Sequence, residues 1–186
     1  IYATGNMQKS IRNNGNITIG DTTGVSNQVF GIYSETTGNE VVNIGSIKTG
    51  NETVGIYGKD NNITSGGNIA VGNSSIGIYS NGGTVDFTSN LTIGDSKSIG
   101  VYGINGANIT NTSSNIQMGE SSYAFVINSG SNLVNKGSIT LGNNNIFVYK
   151  EGTGLITSNS NSVISSTGSN DIAFYLSNGG SLNNES

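Results

Sequence analysis

Carboxylates are the side chains of this 186-residue chain that could do acid–base or metal chemistry, and there are eleven of them. They are scattered along the sequence, and only Asp21, Asp95 and Glu120 share a position, directly after a glycine that ends a short apolar block. Hydrolysis of a glycosidic bond needs two carboxyl groups about 5–10 Å apart. Because other copies of the block are followed by Asn, we interpret this position as a turn that takes Asn, Asp or Glu.

The residue types that are missing narrow the function further. The chain has no His and no Cys, which excludes a Ser-His-Asp triad, an imidazole or thiolate metal site and a disulfide framework. Seven Lys and Arg against eleven acids give a net charge of −4, which disfavours nucleic acid as a partner. The calcium-binding nonapeptide and the EF-hand loop are absent. We therefore expect no enzymatic activity, no metal and no cofactor.

A recurring tyrosine is the best candidate for a binding surface. It ends a four-residue apolar block that occurs as Phe30-Gly-Ile-Tyr33, Val54-Gly-Ile-Tyr57, Ile76-Gly-Ile-Tyr79 and Ile99-Gly-Val-Tyr102, and in degenerate form as Tyr123-Ala-Phe-Val126, Ile146-Phe-Val-Tyr149 and Ile172-Ala-Phe-Tyr175. In an alternating strand, positions one and three of this block face the interior, and positions two and four, Gly and Tyr, face solvent.

The side chains of Tyr33, Tyr57, Tyr79 and Tyr102 then form an exposed aromatic column, here called the Tyr strip, that could grip a sugar or a protein. Two other interpretations stay open. Stacked tyrosines also stabilise a sheet without binding anything. The block could also face the other way, with Gly and Tyr inside.

Two further blocks complete a repeat of about 23 residues. The second block pairs an apolar residue with a polar one two places later, as in Val41/Asn43, Ile63/Ser65, Val85/Phe87, Ile109/Asn111, Leu133/Asn135 and Leu155/Thr157. The third reads apolar-polar-apolar-Gly, as in Ile17-Thr-Ile-Gly20, Ile69-Ala-Val-Gly72, Leu91-Thr-Ile-Gly94, Ile116-Gln-Met-Gly119 and Ile139-Thr-Leu-Gly142. Each block alternates with period two, and turn-forming residues separate the blocks.

Three short strands in each repeat predict an all-β fold, a right-handed parallel β-helix over residues 1–186 with about seven coils of about 23 residues. Equivalent strands of successive coils stack about 4.8 Å apart. The small polar residues of the second block, among them Asn13, Asn43, Asn111 and Asn135, are expected to point inward at a bend and to bond to the next coil.

Two segments of the first full coil carry extra residues and are expected to protrude as loops near 21–28 and 34–40. Loops on a rigid scaffold are frequent binding sites. Asp21, Glu35 and Glu40 therefore join the Tyr strip as candidate binding residues.

Two segments carry a resemblance to a known family. Val41-Val-Asn-Ile-Gly-Ser-Ile47 and Leu133-Val-Asn-Lys-Gly-Ser-Ile139 look like the repeats of passenger regions in large bacterial type Va autotransporters. The chain is similar to the giant outer-membrane adhesins of fusobacteria, the RadD-like group, from about Ile11 to Asn184.

The resemblance implies a passenger segment that is secreted across the outer membrane, displayed on the bacterial cell surface and attached through a C-terminal β-barrel outside this chain. Its partner would be a surface protein or glycan of another bacterium or of a host cell, giving coaggregation or host attachment. Two alternatives remain: a structural stalk with binding elsewhere in the parent protein, and a carbohydrate-active enzyme on the same fold.

Overall fold

The structure, a computed structural model, describes residues 1–5, 10–22 and 28–186, and those ranges contain 23 β-strands and no helix. All strand pairs are parallel, and they form a β-solenoid of about six turns with about 24 residues in each turn. This confirms the parallel β-helix that the repeat predicts. Residues 6–9 and 23–27 lie outside the described residues. No helix of the described residues is long and apolar enough to cross a membrane.

The strands are numbered in chain order, and each of the three blocks of the repeat forms one column of them. The first block forms an eight-stranded sheet of β1 (Tyr2–Thr4), β4 (Phe30–Glu35), β7 (Val54–Lys59), β10 (Ile76–Asn81), β13 (Ile99–Ile104), β16 (Tyr123–Asn128), β19 (Ile146–Glu151) and β22 (Ile172–Ser177). The second block forms another of β2 (Ile11–Asn13), β5 (Glu40–Asn43), β8 (Asn62–Ser65), β11 (Thr84–Phe87), β14 (Asn108–Asn111), β17 (Asn132–Asn135), β20 (Leu155–Ser158) and β23 (Ser181–Asn184).

The third block forms a column that is interrupted once. A five-stranded sheet contains β3 (Ile17–Thr18), β6 (Ile47–Lys48), β9 (Ile69–Val71), β12 (Leu91–Ile93) and β15 (Ile116–Met118), and a separate pair contains β18 (Ile139–Leu141) and β21 (Ile164–Ser166). The interruption between β15 and β18 follows Asn111–Ile116, which has one residue more than the equivalent Asn135–Ile139 of the next coil.

The interior consists of apolar columns that run the length of the solenoid. Position three of the first block is buried in six successive coils, by Ile32, Ile56, Ile78, Val101, Phe125 and Val148. Residues of the second block, such as Ile63 and Leu133, and of the third, such as Ile69 and Leu91, complete the core. This confirms that position three faces inward, and burial of these columns supplies the main driving force of the fold.

The facing predicted for positions one and two is wrong. Position two faces inward: a Cβ at Gly77 would lie 2.6 Å from the Gly100 carbonyl oxygen and 3.0 Å from Val71, and Phe147 at the same position is fully buried. Position one is only half-buried in most coils. Positions two and three both point inward, and the pairing of neighbouring strands skips position two, as in Ile76 with Ile99 and Ile78 with Val101. Strict alternation, which holds for a regular strand, is therefore broken at this point.

One copy of the second block also has a different register from the predicted one. Leu133 pairs with Ile156 and Asn135 with Ser158, so the inward pair of that coil is Ile156/Ser158 rather than Leu155/Thr157. Leu155 is 45% exposed, whereas Ile156 is fully buried.

The small polar residues of the second block point inward and bond to one another, as expected. The Asn13 Nδ2 donates to Asn43 Oδ1 at 2.8 Å, and Asn111 Nδ2 donates to Asn135 Oδ1 at 2.8 Å. Phe87 interrupts this column. In this column, the Nδ2 of each buried Asn therefore donates to the equivalent Asn or Ser of the next coil.

The inward facing of position two and the register of β20 predict the cost of two truncations. The ring of Phe147 packs edge-on against Phe125 at 5.6 Å and against Phe174 at 5.8 Å. Phe147→Ala should lower the free energy of unfolding by about 3–5 kcal/mol. Leu155→Ala, at a position that the sequence pattern places in the core, should change it by less than about 1 kcal/mol. Urea denaturation followed by circular dichroism measures both, and equal losses would contradict the register.

Candidate functional site

The Tyr strip forms one continuous column on the outside of the first sheet. Tyr33 pairs in register with Tyr57, Tyr57 with Tyr79, and Tyr79 with Tyr102. The column begins at Tyr2, which pairs with Tyr33, and it is interrupted at Val126 before it resumes at Tyr149 and Tyr175. The tyrosines are half-buried from Tyr33 to Tyr149, so their rings lie on the surface rather than in the core.

The rings of this column lie mostly face to face. The centroids of Tyr33 and Tyr57 are 4.9 Å apart with planes inclined by 17°, and those of Tyr79 and Tyr102 are 4.9 Å apart at 28°. Tyr57 and Tyr79 are perpendicular, at 5.3 Å. Because neighbouring rings cover each other's faces within the stacked pairs, these pairs present mainly ring edges and hydroxyl groups outward.

A cleft of about 450 Å³ lies beside the Tyr strip and spans three coils; we call it the Phe30 cleft. Its lining comes from three places in the repeat: position one supplies Phe30, Val54 and Ile76, the Tyr strip supplies Tyr33, Tyr57 and Tyr79, and the turns before the first strand supply Gln28, Val29, Glu52, Thr53 and Ser74. Positions one and four are both half-buried in these coils, so their side chains share this outer surface.

Phe30 packs the aromatic side of this cleft. Its ring lies 5.1 Å from that of Tyr33 at 67° and 5.8 Å from that of Tyr57 at 59°. Such tilted contacts are favourable between the electron-rich face of one ring and the edge of another. Phe30 therefore holds the first two rings of the strip in place while part of its own surface stays accessible.

Glu35 contacts the Tyr strip at Tyr33 and changes the pKa of that tyrosine. The two side chains leave the same face of β4, and hydrogen bonding to the Glu35 carboxylate, followed by burial, raises the pKa of Tyr33 to about 12. The pKa of Tyr79 is raised as well, in this case mainly by burial. Both hydroxyl groups are therefore protonated at neutral pH, and that of Tyr33 donates its hydrogen bond to Glu35.

Asp21 is placed on a turn and bonds to the next coil. Its Oδ1 accepts a hydrogen bond from the backbone N–H of Asn51 at 2.8 Å. The same bond recurs upward along the solenoid, from Asn73 N–H to Asn51, from Asp95 N–H to Asn73 and from Glu120 N–H to Asp95. This column is a turn ladder, in agreement with the interpretation of the position as one that takes Asn, Asp or Glu.

The two expected loops differ in how far the structure describes them. Residues 23–27 of the segment 21–28 lie outside the described residues. In the segment 34–40 only residues 36–39 lie between strands, and the side chain of Thr36 is buried. Glu40 is exposed at the start of β5, where it pairs with Asn62, and it does not line the Phe30 cleft.

The structure thus brings together only part of the expected site. Tyr33, Tyr57 and Tyr79 line the cleft, Tyr102 continues the strip beyond it, and Glu35 lies beside Tyr33. The sequence analysis missed the position-one residues Phe30, Val54 and Ile76, because alternation assigned position one to the core. It also did not single out Glu52, which lies in the turn before Val54. The one signal in the sequence is the presence of an aromatic residue at position one of the first copy.

Comparisons with known proteins give no further guide to this site. No protein-family profile matches the chain, and neither the curated proteins nor the solved structures include a match. Within the described ranges, no group of three or more His, Cys, Asp or Glu side chains is placed to hold a metal ion.

The contact between Glu35 and Tyr33 predicts an alkaline titration. Tyr33 should keep its proton until about pH 12, and Glu35→Gln should move its pKa towards the ordinary value of 10.0. The raised pKa means that the folded chain holds this proton more tightly than the unfolded chain does. Its contribution to stability is therefore complete below about pH 10 and falls as the pH rises through about 12. NMR of ring-labelled tyrosine follows the titration, with Glu40→Gln as the control that should leave Tyr33 unchanged.

Proposed function

We propose that this chain is a segment of a secreted bacterial surface adhesin, of the autotransporter passenger type, that contacts another bacterium or a host cell through its aromatic face. The observation that supports the proposal best is the Phe30 cleft, where three tyrosines and three apolar side chains lie half-buried on the outside of a solenoid. Half-exposed aromatic and apolar side chains that are adjacent on a surface are typical of interaction sites.

The shape of the molecule fits display and contact. Six turns at a rise of about 4.8 Å make a rod of roughly 30 Å, held by backbone hydrogen bonds from each coil to the next. The Tyr strip repeats one chemical group along that rod, from Tyr33 to Tyr102. Repeated weak contacts along a rigid display add up through avidity. Location on the bacterial cell surface belongs to the same proposal.

The second candidate function is a structural stalk, and the stacking of the strip supports it. Rings 4.9 Å apart, as in the pairs Tyr33/Tyr57 and Tyr149/Tyr175, stabilise neighbouring strands whether or not they bind anything. In that case binding would lie elsewhere in the parent protein, and the surface of this segment would be interchangeable with that of other coils.

The adhesin proposal predicts competition. The purified chain, added to a suspension of the bacteria and their partner cells, should block attachment in a dose-dependent way. The double variant Tyr57→Ala/Tyr79→Ala should need at least roughly tenfold more protein for the same effect, because truncating central aromatic contacts removes most of an interface's energy. Thr92→Ala, an exposed position in β12 on the third sheet, is the control and should compete as the unaltered chain does.

A stalk gives the opposite result in the same assay. The chain would not compete at any concentration, and the double variant would differ from the unaltered chain only in stability. Circular dichroism of each variant before the assay separates a loss of binding from a loss of fold.

A further inference from the structure

The Phe30 cleft runs along the axis of the solenoid, since equivalent positions of successive coils line it. Phe30, Val54 and Ile76 are one coil apart from each other, and so are Tyr33, Tyr57 and Tyr79. With a rise of about 4.8 Å for each coil, equivalent residues two coils apart, such as Phe30 and Ile76, are about 9.6 Å apart along the axis. The backbone groups of the strands are used in the ladders between coils, so a ligand here is recognised by side chains.

This spacing matches one kind of extended peptide. A polyproline II helix rises about 3.1 Å for each residue and has three residues in each turn, so its equivalent side chains are about 9.3 Å apart. Two coils of the cleft therefore correspond to one turn of the ligand. Across the three coils of the cleft, a proline-rich segment would present one proline near Val29 and Phe30 and the next near Ile76.

The lining of the cleft has the chemistry that such a segment needs. Proline-rich helices dock into grooves lined by aromatic rings, where the rings contact the pyrrolidine side chains. Phe30, Tyr33 and Tyr57 form a connected aromatic cluster here, with centroids 4.9–5.8 Å apart. The backbone carbonyl groups of a polyproline II helix have no internal partner. The hydroxyl groups of Tyr57 and Tyr79, which line the cleft, can donate hydrogen bonds to them.

The charge of the cleft favours a basic residue beside the prolines. Glu52 lines the cleft and Glu35 lies next to Tyr33, while none of the described residues that line it is Lys or Arg. A lysine that flanks the proline segment would lie near these carboxylates. Such a charge pair speeds association and sets the direction of the peptide in the cleft more than it adds affinity.

A glycan fits the same surface less well. The faces of Tyr33 and Tyr57 cover each other, so these rings offer a sugar mainly their edges. The lining includes few polar side chains beyond hydroxyl groups, chiefly Glu52 and Gln28. Sugar hydroxyl groups placed against Phe30, Val54 and Ile76 would lose hydrogen bonds to water without replacing them, which is unfavourable.

We propose that the Phe30 cleft binds a proline-rich segment of a partner protein, in the polyproline II conformation and parallel to the axis of the solenoid. The chain contains no proline, so a second copy of itself does not supply that segment. This inference rests on the proposed function, whose partner it narrows from any surface protein or glycan to an exposed proline-rich protein segment.

A direct binding experiment tests the inference. The probe is a fluorescently labelled decaproline peptide with one C-terminal lysine, titrated with the purified chain and followed by fluorescence anisotropy. Saturable binding is expected, and a peptide in which alternating Gly and Ser replace the prolines should not bind. Saturable binding of both peptides, or of neither, would overturn the inference.

A matched pair of variants places the binding in the cleft. Ile76→Lys puts a charged side chain into the cleft and should weaken peptide binding at least roughly tenfold. Ile146→Lys makes the same change at position one of a coil outside the cleft and should leave binding unchanged. Tyr57→Phe keeps the ring and removes the hydroxyl donor, so it should weaken binding by a smaller factor. Equal binding by both lysine variants would overturn the placement in the cleft.

The two assays above, together with one further measurement, separate this inference from the proposed function. If the chain competes for cell attachment but does not bind the peptide, the inference fails and the adhesin proposal stands. If the chain binds the peptide but does not compete, the adhesin proposal fails and the cleft assignment stands. An oligosaccharide array that binds the unaltered chain and not Ile76→Lys, without binding of the peptide, would assign the cleft to glycans and overturn the inference.

Discussion

The backbone hydrogen bonds between successive coils set a rise of about 4.8 Å, and every other regularity of the molecule depends on this spacing. Parallel pairing in register places each residue above its equivalent one coil earlier, as Tyr79 lies above Tyr57 and Val85 above Ile63. Equivalent side chains then meet along the axis, so each column consists of residues that tolerate or favour contact with their own kind. Stacked rings, bonded amides and apolar columns are three solutions of that single constraint.

A perfectly regular solenoid would have no distinct site, so its differences between coils decide where a ligand can bind. Position one changes from Phe30 to Val54 and Ile76, and the turn beside it carries Glu52 in one coil and Ser74 in the next. These differences give the first three full coils an acidic, aromatic cleft. Further along, Val126 interrupts the Tyr strip and the third sheet breaks after β15, so the surface changes character along the rod.

Much of the architecture could be predicted from the sequence because every copy of the repeat gives independent evidence for the same three strands. The register of Tyr33, Tyr57, Tyr79 and Tyr102 and the turn column that contains Asp21 and Asp95 both agree with the repeat. The register predicted for a single copy of a block is less reliable. Leu155 and Ile156 are both apolar, and the pattern gave no reason to prefer the second, which the pairing with Leu133 selects.

The sequence alone determined that the chain is a parallel β-helix with three strands in each coil, and that a column of tyrosines lies on one sheet. Those features follow from periodicity, which is a property of the order of residues. Only the tertiary structure decided which residues share the outer surface with the tyrosines. Position two faces inward, where Phe147 is buried, and position one lies at the surface, where Phe30 lines the cleft. The inward side of position two meets residues of the third block, as Gly77 meets Val71, and alternation along one strand does not contain that packing relation.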